Sequence, residues 1–173
     1  IGYLSQEPSI FRRLTVEQNV MAILQTLDMS RSERQRRLDE LLGELSIGHL
    51  RKSKADSLSG GERRRLEITR ALVTRPKFML LDEPFAGLDP LGAATMAEVL
   101  QKRAADGVAV LFSSHQLDVV EDLCEEVVII NRGKVVLAGE VDSLRADSPL
   151  RYVEVVGEST EWGKAVPGAT VVA

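Results

Sequence analysis

One cysteine in 173 residues, Cys124, leaves the chain without an internal disulfide, as expected of a protein from a reducing compartment. Aromatic residues make up only 4%, so the core must be built from aliphatic side chains. No apolar run approaches the roughly 18–20 residues needed to span a bilayer, and the N-terminus has no secretory pattern. Any service to a membrane is therefore expected from its cytoplasmic side, through a partner. Basic charge is not in excess either. The 22 Lys and Arg against 26 Asp and Glu give a net charge of −4, which argues against general nucleic-acid binding. Also missing is the phosphate-cradling pattern Gly-x-x-x-x-Gly-Lys-Ser/Thr. The only Gly-Lys pairs, Gly133-Lys134 and Gly163-Lys164, have neither the following hydroxyl residue nor the upstream glycine.

What is present is ordinary globular usage, 44% hydrophobic and 28% charged, enough for one domain with a sizeable core. The chain starts at Ile1 inside a strand pattern and stops at Val171-Val172-Ala173 inside another, so it is expected to be a fragment of a longer protein.

The most informative stretch runs from Leu58 to Pro90. Leu58-Ser59-Gly60-Gly61-Glu62 is a small-residue turn leading into a helical pattern. Ser59 can cap that helix, and Gly60 and Gly61 let the backbone approach a ligand closely. Exposed N–H groups at a helix N-terminus suit an anion such as phosphate. The helix continues through Leu66, Ile68, Ala71, Leu72 and Val73 until Pro76 bars it. Arg63, Arg64 and Arg65, flanked by Glu62 and Glu67, are expected at the surface or in docking. Lys77 to Leu81 then reads as a buried parallel strand, apolar on both faces, that ends abruptly in Asp82 and Glu83. Carboxylates at the carboxyl end of such a strand are placed to meet a ligand. Pro84 to Asp89 is a turn, and Pro90 suits the first position of the next helix. Val108 to Phe112 forms another buried strand, ending in Ser113-Ser114-His115.

Upstream, Ile1 to Leu4 reads as a strand that stops at Ser5-Gln6-Glu7-Pro8. Thr15-Val16-Glu17-Gln18 and Ser30-Arg31-Ser32-Glu33 are capping boxes. The first opens a helix with Val16, Val20, Ile23, Leu24 and Leu27 on one face; the second, a helix with a Leu38, Leu41, Leu42 and Leu45 stripe. The second helix carries Arg31, Arg34, Arg36, Arg37, Asp39 and Glu40 elsewhere, which predicts a solvated charged face. Downstream, Leu117 to Leu123 predicts a short helix, Glu126 to Asn131 and Lys134 to Ala138 a hairpin across Arg132-Gly133, and Val141 to Ala146 another helix. Beyond Ser148-Pro149, Tyr152 to Val156 and Ala169 to Val172 read as strands and Thr160 to Val166 as a helix.

In this order and this close together, LSGGE and the apolar strand ending in Asp82-Glu83 resemble the signature and Walker B motifs of ATP-binding cassette (ABC) transporter ATPases. The resemblance implies an α/β fold: part of a P-loop NTPase-like core sheet with a helical subdomain at about 12–57. Residues 1–147 would be the distal part of the ATPase domain and 148–173 an incomplete C-terminal α/β appendage. It implies ATP and Mg²⁺ as ligands. Glu83 would be the general base, His115 the switch histidine that holds Glu83 and the attacking water, and Gln6 the loop glutamine that touches Mg²⁺ and water. Asp82 would help hold Mg²⁺, and Ser59, Gly60, Gly61 and Glu62 would face the γ-phosphate of a nucleotide held by a second ATPase subunit, head to tail. Asp89 would couple the two sites. A transmembrane permease subunit would dock on the helical subdomain and the Gln6 loop, with Ile10-Phe11-Arg12-Arg13 as the contact, placing the protein at the cytoplasmic face of the inner membrane.

Without a P-loop the chain alone is expected to bind ATP poorly and hydrolyse it negligibly. Gly2 to Thr15 and Leu58 to Leu72 resemble lipopolysaccharide-export cassettes, whereas Ser113 to Glu121, Gly139 to Leu144 and the tail resemble sodium- and drug-efflux cassettes of the ABC-2 type. The expected function is the ATPase subunit of a bacterial exporter. Two other classes stand beside it: a non-catalytic or trans-acting cassette module, and a soluble cassette protein that serves no transporter.

Overall fold

The computed structural model describes residues 1–147. They belong to two units, Ile1–Cys124 and the chain from Glu125 onward. In the first unit β1 (Gly2–Leu4) is followed by α1 (Val16–Leu24), α2 (Arg31–Glu44), two short 3-10 turns, α3 (Gly60–Leu72), β2 (Phe78–Asp82), α4 (Pro90–Ala105), β3 (Ala109–Ser113) and α5 (Leu117–Leu123). The three strands form one parallel sheet in the order β1-β2-β3. Its register sets Leu4 opposite Leu81 and Asp82 opposite Ser113. Parallel neighbours require crossover connections; α1 to α3 make the first and α4 the second.

Local chemistry starts the helices. Thr15, Ser30 and Ser59 each close a full capping box with Gln18, Glu33 and Glu62, and Asp89 caps α4 with Pro90 at its first position. The core gathers the apolar stripes of three helices on one side of the sheet. Val16, Val20 and Leu24 of α1, Leu38, Leu41 and Leu42 of α2, Leu66, Ile68 and Leu72 of α3, and Met79 and Leu81 of β2 are all buried in one cluster. Removing water from this aliphatic surface is the main favourable term.

Three expectations fail here, the first being that Val108 to Phe112 is a buried strand: no residue of β3 is fully buried. The strand over 77–81 is not buried on both faces: the cross-strand row Tyr3, Leu80 and Leu111 is 62%, 38% and 57% exposed. Helices cover only one face of this sheet among the described residues. The charged positions of α2 are not all solvated either. Arg37 is buried, and its Nη2 donates to the Leu72 carbonyl at 3.0 Å. The guanidinium is a second donor to that carbonyl, which also accepts from Arg75 N at 3.2 Å, and burial pushes its pKa down. Leu27 lies beyond the end of α1 and is half-buried.

The unit from Glu125 holds an antiparallel hairpin, β4 (Glu126–Asn131) and β5 (Lys134–Glu140), followed by α6 (Val141–Asp147). Its two-residue turn has φ of 49° at Arg132 and 75° at Gly133, the double positive φ that a type I′ turn requires. The expected elements at 152–156, 160–166 and 169–172 lie outside the described residues, as does the expected appendage over 148–173.

Asn19 fixes the segment between β1 and α1. It is fully buried. Its Oδ1 accepts from Phe11 N (2.8 Å), while its Nδ2 donates to the carbonyls of Phe11 (3.1 Å) and Thr15 (3.0 Å). Asn19→Ala strands the Phe11 amide, while the carbonyls of Phe11 and Thr15 keep backbone donors; it is expected to cost about 1–3 kcal/mol, read as a lower urea midpoint with an unchanged m-value.

Candidate active site

β2 delivers Asp82 at its last position, and the parallel register sets Ser113 of β3 beside it. Ser113 Oγ donates to Asp82 Oδ1 (2.6 Å) and accepts from Glu83 N (3.0 Å). One hydroxyl thus ties both carboxylate residues to the neighbouring strand. Glu83 has φ of 47°, the left-handed region, where a residue with a Cβ is strained. Its Oε1 lies 2.9 Å from Nδ1 of His115. With its proton on Nδ1 the imidazole donates to the carboxylate, which leaves Nε2 as the free ring nitrogen. The Glu83 side chain is 21% exposed and that of His115 75%, so the pair borders solvent and can meet a ligand.

Gln6, Gly60, Glu83 and His115 line one open cavity of about 320 Å³. Four residues expected in the site, from four separate stretches of chain, are therefore brought together. A cavity of similar size, about 350 Å³, between α2 and the end of α3 is lined by Glu33, Arg36, Arg37, Glu40 and Arg75 and holds none of them.

The start of α3 divides its labour. Ser59 Oγ accepts from Glu62 N (3.3 Å) and Glu62 Oε2 accepts from Ser59 N (2.8 Å). The Ser59 amide first and its hydroxyl second hold the Glu62 carboxyl below its usual pKa. A Cβ on Gly60 would meet nothing within 4 Å, whereas one on Gly61 would lie 3.3 Å from the Gly87 carbonyl oxygen. Gly60 keeps the backbone open beside the cavity, and Gly61 permits close packing against the turn after β2. Within this chain Asp89 serves as a cap, its Oδ1 accepting from Gly92 N at 2.8 Å; it does not line the cavity.

No group of three or more His, Cys, Asp or Glu able to hold a metal ion occurs among the described residues. Mg²⁺ is commonly held by one or two protein oxygens together with substrate phosphates and water. Gln6 lines the cavity, whereas Asp82, bonded to Ser113, does not; both carry oxygens of the kind that Mg²⁺ takes.

Three contributors escaped the sequence. Ser113 was visible only as part of a strand end. Arg64 was expected at the surface or in docking, and Glu67 figured only as its flank, yet both are buried. Arg64 Nη1 donates to the Ser5 carbonyl (2.8 Å) and to Glu67 Oε2 (3.1 Å), and Nη2 donates to the carbonyls of Asp82 and of Glu83, the latter at 3.0 Å. Glu67 Oε1 accepts from Ser9 N at 3.1 Å. A hint existed in the spacing of Arg64, Glu67 and Arg70, three apart, which places them along one helix face.

Comparison with known proteins places these residues in context. The family model described as ABC transporter matches residues 1–86. The lipopolysaccharide export system ATP-binding protein LptB of Acidithiobacillus ferridurans is 45% identical over 153 residues, 88% of this chain and 64% of that protein. The solved structure of an ATP-binding subunit of an ABC transporter superposes with a TM-score of 0.74 at 30% identity, covering 84% of this chain and 60% of that one. The ATP-binding cassette MJ0796, solved as a dimer in a post-hydrolysis state bound to ADP and Pi, gives a TM-score of 0.73 at 27% identity over 81% of this chain and 62% of that one. The chain spans less than two thirds of the length of these curated relatives, 64% of the Acidithiobacillus protein.

Ser113→Ala removes both the acceptor for Glu83 N and the donor to Asp82. The expected result is a stability loss of about 0.5–1.5 kcal/mol with faster hydrogen exchange at the Glu83 amide. Ser114→Ala should leave that amide's exchange unchanged.

Proposed function

Because the chain belongs to the ABC transporter family, we propose that it supplies the signature, Walker B and switch elements of an ATP-hydrolysing subunit that drives a bacterial exporter. The observation that carries this is the Glu83–His115 hydrogen bond of 2.9 Å at a cavity that Gln6 and Gly60 also line. A carboxylate held in place by an imidazole, beside an open backbone at a helix N-terminus, suits attack of water on a terminal phosphate.

In this account Glu83 orients the water and takes its proton. His115 fixes the Glu83 carboxylate through Nδ1 and offers Nε2 toward the phosphate. Asp82, steadied by Ser113, and Gln6 hold Mg²⁺, which when bound neutralises charge on the phosphate oxygens. Ser59 to Glu62 present the first-turn amides of α3 to the γ-phosphate of a nucleotide carried by a second subunit. Asp89, beside that contact, couples the two sites. The chain has no phosphate-cradling Gly-x-x-x-x-Gly-Lys-Ser/Thr, so turnover is a property of the full-length protein in a head-to-tail dimer.

Transport requires a membrane partner, and no helix among the described residues is long and apolar enough to cross a membrane. Docking of a permease subunit falls to the segment before α1, which places the protein at the cytoplasmic face of the inner membrane. Ile10 is buried and serves the core, whereas Phe11, Arg12 and Arg13 are exposed, so these three form the contact. Export of lipopolysaccharide is favoured over efflux of sodium or drugs. The match to a protein named for lipopolysaccharide export extends over 153 residues, too long to be confined to the first half.

Glu83→Gln in the full-length protein, assayed with its membrane subunits, keeps the shape and loses the base. ATP hydrolysis should fall by about 10²–10⁴-fold with ATP affinity retained. Turnover near that of the parent would remove Glu83 from the mechanism.

A further inference from the structure

A row of charged residues on α3 grips the loop that carries Gln6 at both ends. Arg64 Nη1 donates to the carbonyl of Ser5, immediately before Gln6, and Glu67 Oε1 accepts from the amide of Ser9, three residues after it. Arg70 donates through Nη1 to the Ser9 carbonyl and stands 4.8 Å above the Phe11 ring. The same Arg64 reaches across to the carbonyls of Asp82 and Glu83. Arg64 and Glu67 are 7% and 5% exposed and pair at 3.1 Å. A buried ion pair does little for net stability, because desolvation offsets the attraction. A reason beyond stability is therefore needed.

Geometry provides one. Glu83 occupies the left-handed region, and strained backbone persists only where its surroundings over-determine it. Its amide is held by Ser113, and its carbonyl by Arg64 together with the turn's own Ala86 amide. A peptide fixed on both sides fixes the origin of the side chain that meets His115. We infer that the buried Arg64–Glu67 pair is a positioning strut, which holds the Gln6 loop and the Glu83 turn in one fixed relation so that the water, its base and the Mg²⁺ oxygens stay aligned. This rests on the proposed hydrolytic function; Arg64 and Glu67 also line the cavity of Gln6 and Glu83, and the role inferred for them is exerted through the backbone groups they hold. The strut also reaches Phe11 through Arg70, so a partner docked there meets a loop already fixed to the Glu83 turn.

The test compares Glu67→Gln with the double variant Arg64→Met/Glu67→Leu, in the full-length protein assayed with its membrane subunits. The double variant replaces the pair by apolar side chains of similar volume, which conserves the fold. Both should lower kcat at least tenfold while KM for ATP changes less than twofold, since misplacing a base loses transition-state stabilisation and not substrate binding. Hydrogen exchange should accelerate at residues 5–9 and 82–84 and stay unchanged in α1 and α2. Parent-like kcat in the folded double variant, or exchange that changes evenly through the chain, would overturn the strut and reduce the pair to packing. Should the unmodified protein not hydrolyse ATP, the proposed function fails, and the exchange pattern still decides whether the pair fixes the two segments together.

Discussion

The peptide unit at Glu83 is the constraint on which the rest of the site depends. A non-glycine residue at φ of 47° costs roughly 1–3 kcal/mol, and the surroundings hold it from both sides. Ser113 on β3 takes the amide, and Arg64 on α3 takes the carbonyl. Both anchors follow from the parallel sheet. Only with β2 between β1 and β3 does Asp82 end beside Ser113, and only with α3 packed along β1 can one guanidinium touch both Ser5 and Glu83. The fold thus adds two distant anchors to a turn that also closes locally, Ala86 N donating to the Glu83 carbonyl at 3.1 Å.

α3 plays two parts at once. Leu66, Ile68 and Leu72 belong to the aliphatic core, while Arg64, Glu67 and Arg70 bind backbone groups of the Gln6 loop and the Glu83 turn. Its N-terminus is left for other work: Gly60 has open space around it. Its C-terminus is closed by the buried Arg37 of α2. One helix therefore joins the core, the candidate phosphate face and the candidate base, so a shift of α3 would be felt at all three.

Much of this was legible in the residues. The capping boxes at Thr15, Ser30 and Ser59 opened helices where expected, because the local exchange of hydrogen bonds between the cap and the third residue needs no tertiary help. The apolar strand ending in two carboxylates, and the histidine two residues beyond the next strand, deliver Glu83 and His115 to one cavity. What escaped was the destination of long charged side chains. Arg37 reads as solvated, Arg64 as a surface or docking residue and Glu67 only as its flank, because a sequence window shows their charge and not the carbonyls and amides waiting some 35 to 60 residues away. The open row Tyr3, Leu80 and Leu111 was misread for the opposite reason: apolar residues predict burial, while what covers them is not written in the strand itself.

The most direct test is a structure of the full-length protein with Mg²⁺ and a non-hydrolysable ATP analogue. The account predicts two copies head to tail. The terminal phosphate would lie in the cavity lined by Gln6, Glu83 and His115 of one copy, within hydrogen-bond reach of Ser59 and Gly61 of the other. A nucleotide bound away from that cavity, or held fully by one copy with the start of α3 in the second left untouched, would contradict it.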